Sequence, residues 1–314
     1  MTPRPWRLML AVAAALALGV LSVAPPAGAD APLTVRFAPE RDYGPFVFAD
    51  DDGRVQGLSV DLLARLAPSA GLRLETLPPA PLAQQLALLR AGGADLVSSL
   101  RPTPERAEYL AFTRPYVNVP ALLVVRSAAG TAERSTDGQA ALLRLAGHAV
   151  AVGAGYAVEG FARERFPQVR WAAVPDDVQA LSGVRDGRFD AAVVDAASAA
   201  FIAQRQHWSD LRAAGPIGFD YALSLAVPKA RADLVQRLDA AIAALPLQER
   251  AAIQQRWMGP LDGNALMSST WQGLRWAAAW LGLAAVLLAV LAWRRHTQRS
   301  TSPATHAHDT APPP

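Results

Sequence analysis

The sequence predicts an α/β fold built in two similar halves, on three observations. Short apolar runs alternate with stretches whose apolar residues recur at helical spacing, the pattern of strands joined by helices in a largely parallel sheet. The alternation breaks at a polar stretch, Ser127 to Gly138, and then starts again in the same style. Segments of quite different composition bound the alternating region on both sides.

The elements follow in chain order. Leu33-Thr-Val-Arg-Phe-Ala38 reads as a strand and Tyr43-Gly-Pro-Phe46 as a tight turn. Asp50-Asp51-Asp52-Gly53 has hairpin-turn chemistry between Phe46-Val-Phe48 and Val55. No spaced Glu completes a calcium loop there, so the three aspartates read as a solvated turn. Val60, Leu62, Leu63 and Leu66 form a helical stripe, ended by Pro68-Ser69. Leu72 to Leu77 alternates as a strand, and Leu82 to Arg90 returns to helical spacing before Gly92-Gly93. Pro120 to Val125 is a buried-strand run. The second unit places strands at Ala149–Val152, Val169–Val174 and Phe189–Val194. Its helices fall at Tyr156–Phe166, Val178–Arg185 and Ala196–Gln206. The chain then passes Gly215-Pro216 into a strand, Tyr221 to Val227. Two helices, Ala230–Ala244 and Leu247–Trp257, close the region across a Pro246 joint.

The flanks suggest export and anchoring. Residues 1–29 read as a signal peptide: Arg4 and Arg7, an apolar run from Leu8 to Val23, Pro25-Pro26, then Ala27-Gly28-Ala29 as the cleavage site. An uncleaved anchor is the alternative, because the apolar run is long. Leu274 to Trp293 is long and apolar enough to span a bilayer, with Trp271, Trp276 and Trp280 at one end and Trp293 at the other. Arg294, Arg295 and Arg299 follow, which places a short, Pro-rich cytoplasmic tail at 294–314. A buried core helix is the competing reading of 274–293.

Composition narrows the function. The 314 residues carry a formal net charge of +3, with several basic residues in the terminal segments, so nucleic acid is not an expected partner. Zero cysteines exclude disulfides, thiolate metal sites, a cysteine nucleophile and a lipid-modified N-terminal cysteine. His148 and His207 are isolated and His306 and His308 sit in the tail, so no metal set or triad assembles. No Gly-x-Ser-x-Gly elbow occurs, and no carboxylate pair is spaced as a glycosidase would need. Gly153-Ala-Gly155 fails the dinucleotide fingerprint, because Val158 stands at the third glycine position. No cofactor is expected.

The informative segment is Ala94 to Arg106, followed by Phe112-Thr-Arg-Pro-Tyr116. An apolar run ends in Ser98-Ser99. Thr103 suits an N-cap and Pro104 the first helical position, which puts Arg106 in the first turn. Hydroxyls at a strand end beside a helix N-terminus and a guanidinium can hold a carboxylate.

With Tyr43-Gly-Pro-Phe46, Gly57-Leu-Ser-Val-Asp-Leu62 and Gly187-Arg-Phe-Asp-Ala-Ala-Val-Val-Asp195, this segment resembles the bacterial family 3 extracellular solute-binding proteins. The likeness extends over Leu33 to Gly259. It implies a two-lobed periplasmic binding protein type 2 fold, the Venus flytrap, with the C-terminal transmembrane helix appended. The periplasmic domain would be 30–263, with lobe 1 at about 33–124 and 222–259 and lobe 2 at about 125–221. The resemblance implies ligand-binding roles for five residues. Arg106 would grip a carboxylate by a bidentate pair; otherwise it is a surface arginine paired with Glu105 or Glu108. Ser99 would hydrogen-bond the ligand, and Tyr43 would supply an aromatic wall. Asp195 would take an ammonium, or serve simply as an N-cap. Arg101 stands where amino-acid binders carry a small hydroxyl. Turned inward it would favour a dicarboxylate; turned outward it would be solvated. Ala157 lies where the family often has a hydroxyl, leaving the 153–155 loop to offer backbone N–H groups.

The expected protein is therefore a binder at the bacterial inner membrane, its ligand an amino acid or dicarboxylate, its partner a permease or sensor kinase. The alternative is a flytrap-fold enzyme such as a prephenate or arogenate dehydratase.

Overall fold

The structure, a computed structural model, describes residues 31–127 and 137–261. The expected signal peptide at 1–29, span at 274–293 and tail at 294–314 lie outside these residues. Among the described residues no helix is long and apolar enough to cross a membrane.

β1 (Leu33–Phe37) buries Val35 and Phe37 and turns Arg36 out to pair with Asp95. A small antiparallel sheet follows, formed by β2 (Asp42–Tyr43), β3 (Val47–Ala49) and β4 (Val55–Gln56). α1 (Leu58–Ser69) then packs Leu58, Leu62, Leu63 and Leu66 into the core at helical spacing. It runs through Pro68 instead of stopping before it, and Ser69 Oγ and the Ala70 N–H both return to the Leu66 carbonyl. β5 (Leu72–Thr76) pairs in parallel with β1. α2 (Leu82–Arg90), β6 (Val97–Leu100), α3 (Pro104–Ala107) and β7 (Leu110–Phe112) complete this stretch.

β8 (Val117–Arg126) leaves the first lobe and leads to the second, which repeats the strand–helix pattern. Its elements are α4 (Gly138–Arg144), β9 (Ala149–Gly153), α5 (Ala157–Arg165), β10 (Arg170–Val174), α6 (Asp177–Arg185), β11 (Ala191–Asp195) and α7 (Ala196–Arg205). β12 (Leu211–Pro228) returns to the first lobe. There α8 (Asp233–Ala244), α9 (Leu247–Met258) and a short 3-10 turn (Gly259–Leu261) end the described chain.

The main sheet has the order β10-β9-β11-β8-β12-β6, with β7 also on β12. Only β10, β9 and β11 run parallel; the β11–β8, β8–β12 and β12–β6 pairs are antiparallel. The expectation of a largely parallel sheet is corrected here for a topological reason. One strand carries the chain into the second lobe and its neighbour carries it back, so they must run in opposite directions. β12 also extends through Gly215-Pro216, which was expected to lie before the strand. The ladder slips register on either side, between Ala213 and Gly215 and between Pro216 and Asp220. A proline that cannot donate to the ladder is accommodated at such irregularities. Residues Val35, Leu66 and Leu96 in one lobe and Val152, Leu181 and Val193 in the other are buried in one continuous core.

Candidate functional site

The site is built where β6 ends. Ser99 adopts a left-handed φ of 58°, unusual for a residue with a side chain. Its N–H donates to the Tyr116 hydroxyl at 2.8 Å. Ser59 Oγ lies 2.8 Å from Ser99 Oγ and 2.6 Å from Tyr116 Oη, so three buried hydroxyls satisfy one another. Thr103 caps α3 as expected, accepting from the Arg106 N–H at 3.2 Å.

Arg106 is buried, with 5% of its surface exposed, and does not pair with Glu105 or Glu108 as a surface arginine would. Glu105 binds Arg90 instead. The Arg106 guanidinium donates through Nη1 to the Arg101 carbonyl and through Nη2 to the Gly155 carbonyl, both at 2.8 Å. The second bond crosses from one lobe to the other. Burial pulls the Arg106 pKa below its ordinary value, and an arginine remains charged regardless.

Other contacts also hold the lobes together. Tyr156 donates to Glu40 Oε1 at 2.9 Å, and Ser198 Oγ donates to the Gly44 carbonyl at 2.9 Å. The Phe201 ring lies 4.8 Å from Phe48 and so close to Gly44 that any Cβ there would run into it. Arg205 pairs with Asp51 on the outer edge. Between Asp42 and Phe48 of one lobe and Asp176 and Gln179 of the other lies a cavity of about 450 Å³; the one around Arg106 is about 20 Å³, the room of about one water, so the lobes are closed over it.

Four of the five residues predicted from sequence line that cavity: Tyr43, Ser99, Arg101 and Arg106, together with Ala157. Arg101 does not point simply outward. Its guanidinium stacks over Phe219 at 4.1 Å, and burial pulls its pKa below the ordinary value against the smaller opposing pull of Asp220 and Tyr221. Asp195 does not line the cavity. It caps α7, its Oδ1 accepting from the Ser198 N–H at 2.8 Å, and it is buried beside Tyr43, which does line it. Two donors of the 153–155 loop are spent within the second lobe: the Ala154 N–H goes to the Val174 carbonyl and the Gly155 N–H to Glu159. What it presents to the cleft is the Gly155 carbonyl.

Sequence reasoning missed the acid side of the site. Glu40, just after β1, is 6% exposed, and burial pushes its carboxyl up to about 7 against the opposing pull of Tyr156 and Arg106. Asp177, the first residue of α6, is 2% exposed and its pKa is raised well above the carboxylate range by burial, with Asp195 and Glu40 adding repulsion. Burial also raises Asp195 to about 6, although the Ser198 bond favours its charged form. Three oxygens in this region are buried without any hydrogen-bond partner: Asp177 Oδ1, Asp195 Oδ2 and Tyr43 Oη. The Tyr43 hydroxyl is near enough to Asp195 to favour its carboxylate, yet the pair lacks hydrogen-bond geometry. Tyr156 and Tyr221, also at the cavity wall, complete the site.

Two α/β lobes joined by paired crossing strands, with a basic and acidic cleft between them, define a solute-binding protein of the periplasmic type. The chain belongs to the bacterial extracellular solute-binding proteins, family 3, whose family model matches residues 35–260. Among its relatives is the virulence sensor protein BvgS of Bordetella pertussis, 28% identical over 261 residues. That match covers 82% of this chain but 20% of BvgS, so the chain spans about a fifth of that relative's length. The L-cystine-binding protein TcyJ of Escherichia coli K12 is 27% identical over 223 residues, 70% of this chain and 80% of TcyJ. Among solved structures, the VFT2 domain of Bordetella pertussis BvgS superposes with a TM-score of 0.63 at 25% identity, covering 71% of this chain and 93% of the domain.

Proposed function

We propose that this protein is a membrane-anchored receptor whose exported domain binds a small carboxylate-bearing ligand, an amino acid, between its lobes. The carrying observation is Arg106: a guanidinium buried in the cleft, whose present partners are two backbone carbonyls. A ligand carboxylate offers the same donors a charged, bidentate partner and would displace them. Asp195, which caps α7 beside Tyr43 and does not line the closed cavity, is the acid we propose for a ligand ammonium once the lobes part. Likeness to a sensor and to a binding protein of amino-acid type supports this reading. On this reading residues 1–29 are removed on export, 274–293 hold the domain at the periplasmic face of the inner membrane, and 294–314 lie in the cytoplasm. The partner is a permease or a sensor kinase, and the chain itself is no catalyst.

The test is calorimetry on the full-length protein in detergent with a panel of amino acids. Removing one partner from a desolvated charge pair costs about 2–5 kcal/mol, so Arg106→Ala is expected to weaken binding by more than about thirtyfold. Equal affinity in both proteins would remove Arg106 from the binding site. N-terminal sequencing of the membrane-extracted protein is expected to begin at Asp30.

A further inference from the structure

We propose that an apolar groove on the outer edge of the lobe junction is the docking site of this chain's own segment 262–271, which seats Leu266 and Met267 there.

The groove has a volume of about 460 Å³ and is walled by Phe48 of β3, Phe201 of α7, and Trp257 and Leu261 near the end of the described chain. Its walls are held by contacts within the protein. Trp257 Nε1 donates to Asp61 Oδ2 at 2.8 Å, and the Phe48 ring lies 4.8 Å from Phe201 and 5.9 Å from Trp257. Two guanidiniums line the groove as well, and both are engaged: Arg205 by Asp51 and Arg256 by Asp61. The groove therefore suits apolar side chains better than a charged solute. Apolar surface rimmed by polar groups in this way marks a place of contact.

The point where the described chain ends names the occupant. Leu261 is itself part of the wall and is 1% exposed, so residue 262 leaves from the edge of the groove. The stretch Asp262-Gly-Asn-Ala-Leu-Met-Ser-Ser-Thr-Trp271 is polar or small apart from Leu266, Met267 and Trp271. Leu266 and Met267 stand five and six residues beyond Leu261, a reach of up to about 17–20 Å, enough to fold back onto a groove that begins at Leu261. A methionine thioether packs well against aromatic rings, which form three of the walls. Tethering also gives the segment an effective concentration on the order of millimolar, an advantage that a second copy of the chain lacks. Phe48 and Trp257 belong to the first lobe and Phe201 to the second, so the groove is complete only while the lobes are closed. A seated segment thus favours closure, and parting the lobes releases it.

The chain has no cysteine, so introduced thiols report on this contact without background. Gln204, an exposed residue of α7, lines the groove, and Leu143, 60% exposed on α4, does not. In the full-length protein in detergent, the pair Gln204→Cys with Leu266→Cys is expected to form a disulfide within one chain on mild oxidation. The pair Leu143→Cys with Leu266→Cys is expected to stay reduced. A second measurement follows maleimide labelling of Gln204→Cys alone. Adding Leu266→Ser and Met267→Ser is expected to speed that labelling about fivefold or more. Equal labelling rates would overturn the proposal, as would equal cross-linking of the two pairs or none from Gln204→Cys. A disulfide formed between two chains would overturn it in favour of a second copy as the occupant.

Discussion

Two buried polar clusters stand within the same site and differ in one respect. The hydroxyl cluster of Ser59, Ser99 and Tyr116 lies wholly in the first lobe, and each member has its partners inside the protein. The acid cluster of Tyr43, Asp177 and Asp195 straddles the lobes, and each member leaves an oxygen unpaired. Burial is comparable, so burial does not explain the contrast. A polar group satisfied from within is scaffold, holding Ser99 in its left-handed conformation and fixing the start of the Arg106 loop. A polar group buried and unsatisfied destabilises the closed state until something else supplies the missing bond.

The largest test of this contrast is pH. Glu40 at about 7 and Asp195 at about 6 are raised above ordinary carboxylates, near 4, so the folded state holds more protons than the unfolded chain in between. Stability is therefore highest when these groups are protonated and falls as pH rises from about 4 to about 7. The charged neighbours in this region are Arg106, Asp42, Asp176 and Asp177, and only Arg106 opposes the trend. Glu40 alone accounts for ~3 kcal/mol, at about 1.4 kcal/mol per unit. Denaturant melts of the unliganded protein at pH 5 and pH 8 should show the loss, and Glu40→Gln should remove much of it. A flat profile would mean that the acid cluster is no less satisfied than the hydroxyl cluster.

Next in size is Tyr116→Phe. It strips the acceptor from the buried Ser99 N–H and the partner from Ser59, a loss of about 1–3 kcal/mol. Chemical denaturation would measure it, and a change under about 0.5 kcal/mol would show that the hydroxyl cluster holds nothing in place. The smallest expected effect is its counterpart. Tyr43→Phe removes a hydroxyl that has no partner, so the unliganded protein should change by less than about 0.5 kcal/mol or gain stability. Read side by side, the two tyrosines ask whether a buried hydroxyl matters for being buried or for being bonded.

Much of this molecule was legible in its residues. Apolar periodicity located the strands and helices, and the Thr103-Pro104 pair announced the α3 cap that the structure shows. The cavity-lining position of Arg106 followed from family pattern, since nothing in its spacing separates a buried arginine from a surface one. Asp177 was illegible for a physical reason. It follows Asp176, and two adjacent acids at a helix start look like a solvated cap. In the structure only Asp176 caps, and the helix turn carries Asp177 inward. Glu40 was hidden in the same way, as a lone acid after a strand whose environment is set by Tyr156 of the opposite lobe. The mixed sheet was missed because periodicity reports which face a residue takes, and strand direction depends on where the chain must return.

Helix α7 joins the cleft to the end of the described chain. Its first turn is tied to the cleft through Asp195 and Ser198. Its far half, around Phe201 and Arg205, packs beside Trp257, Pro260 and the buried Leu261, the last residue described. Ten residues of helix make a stiff arm of about 15 Å. Turned through about 15°, the scale of a rigid-body domain rotation, such an arm sweeps its tip by about 4 Å. A lobe rotation at the cleft would then reach the Trp257 end as a stroke several times the length of a bond.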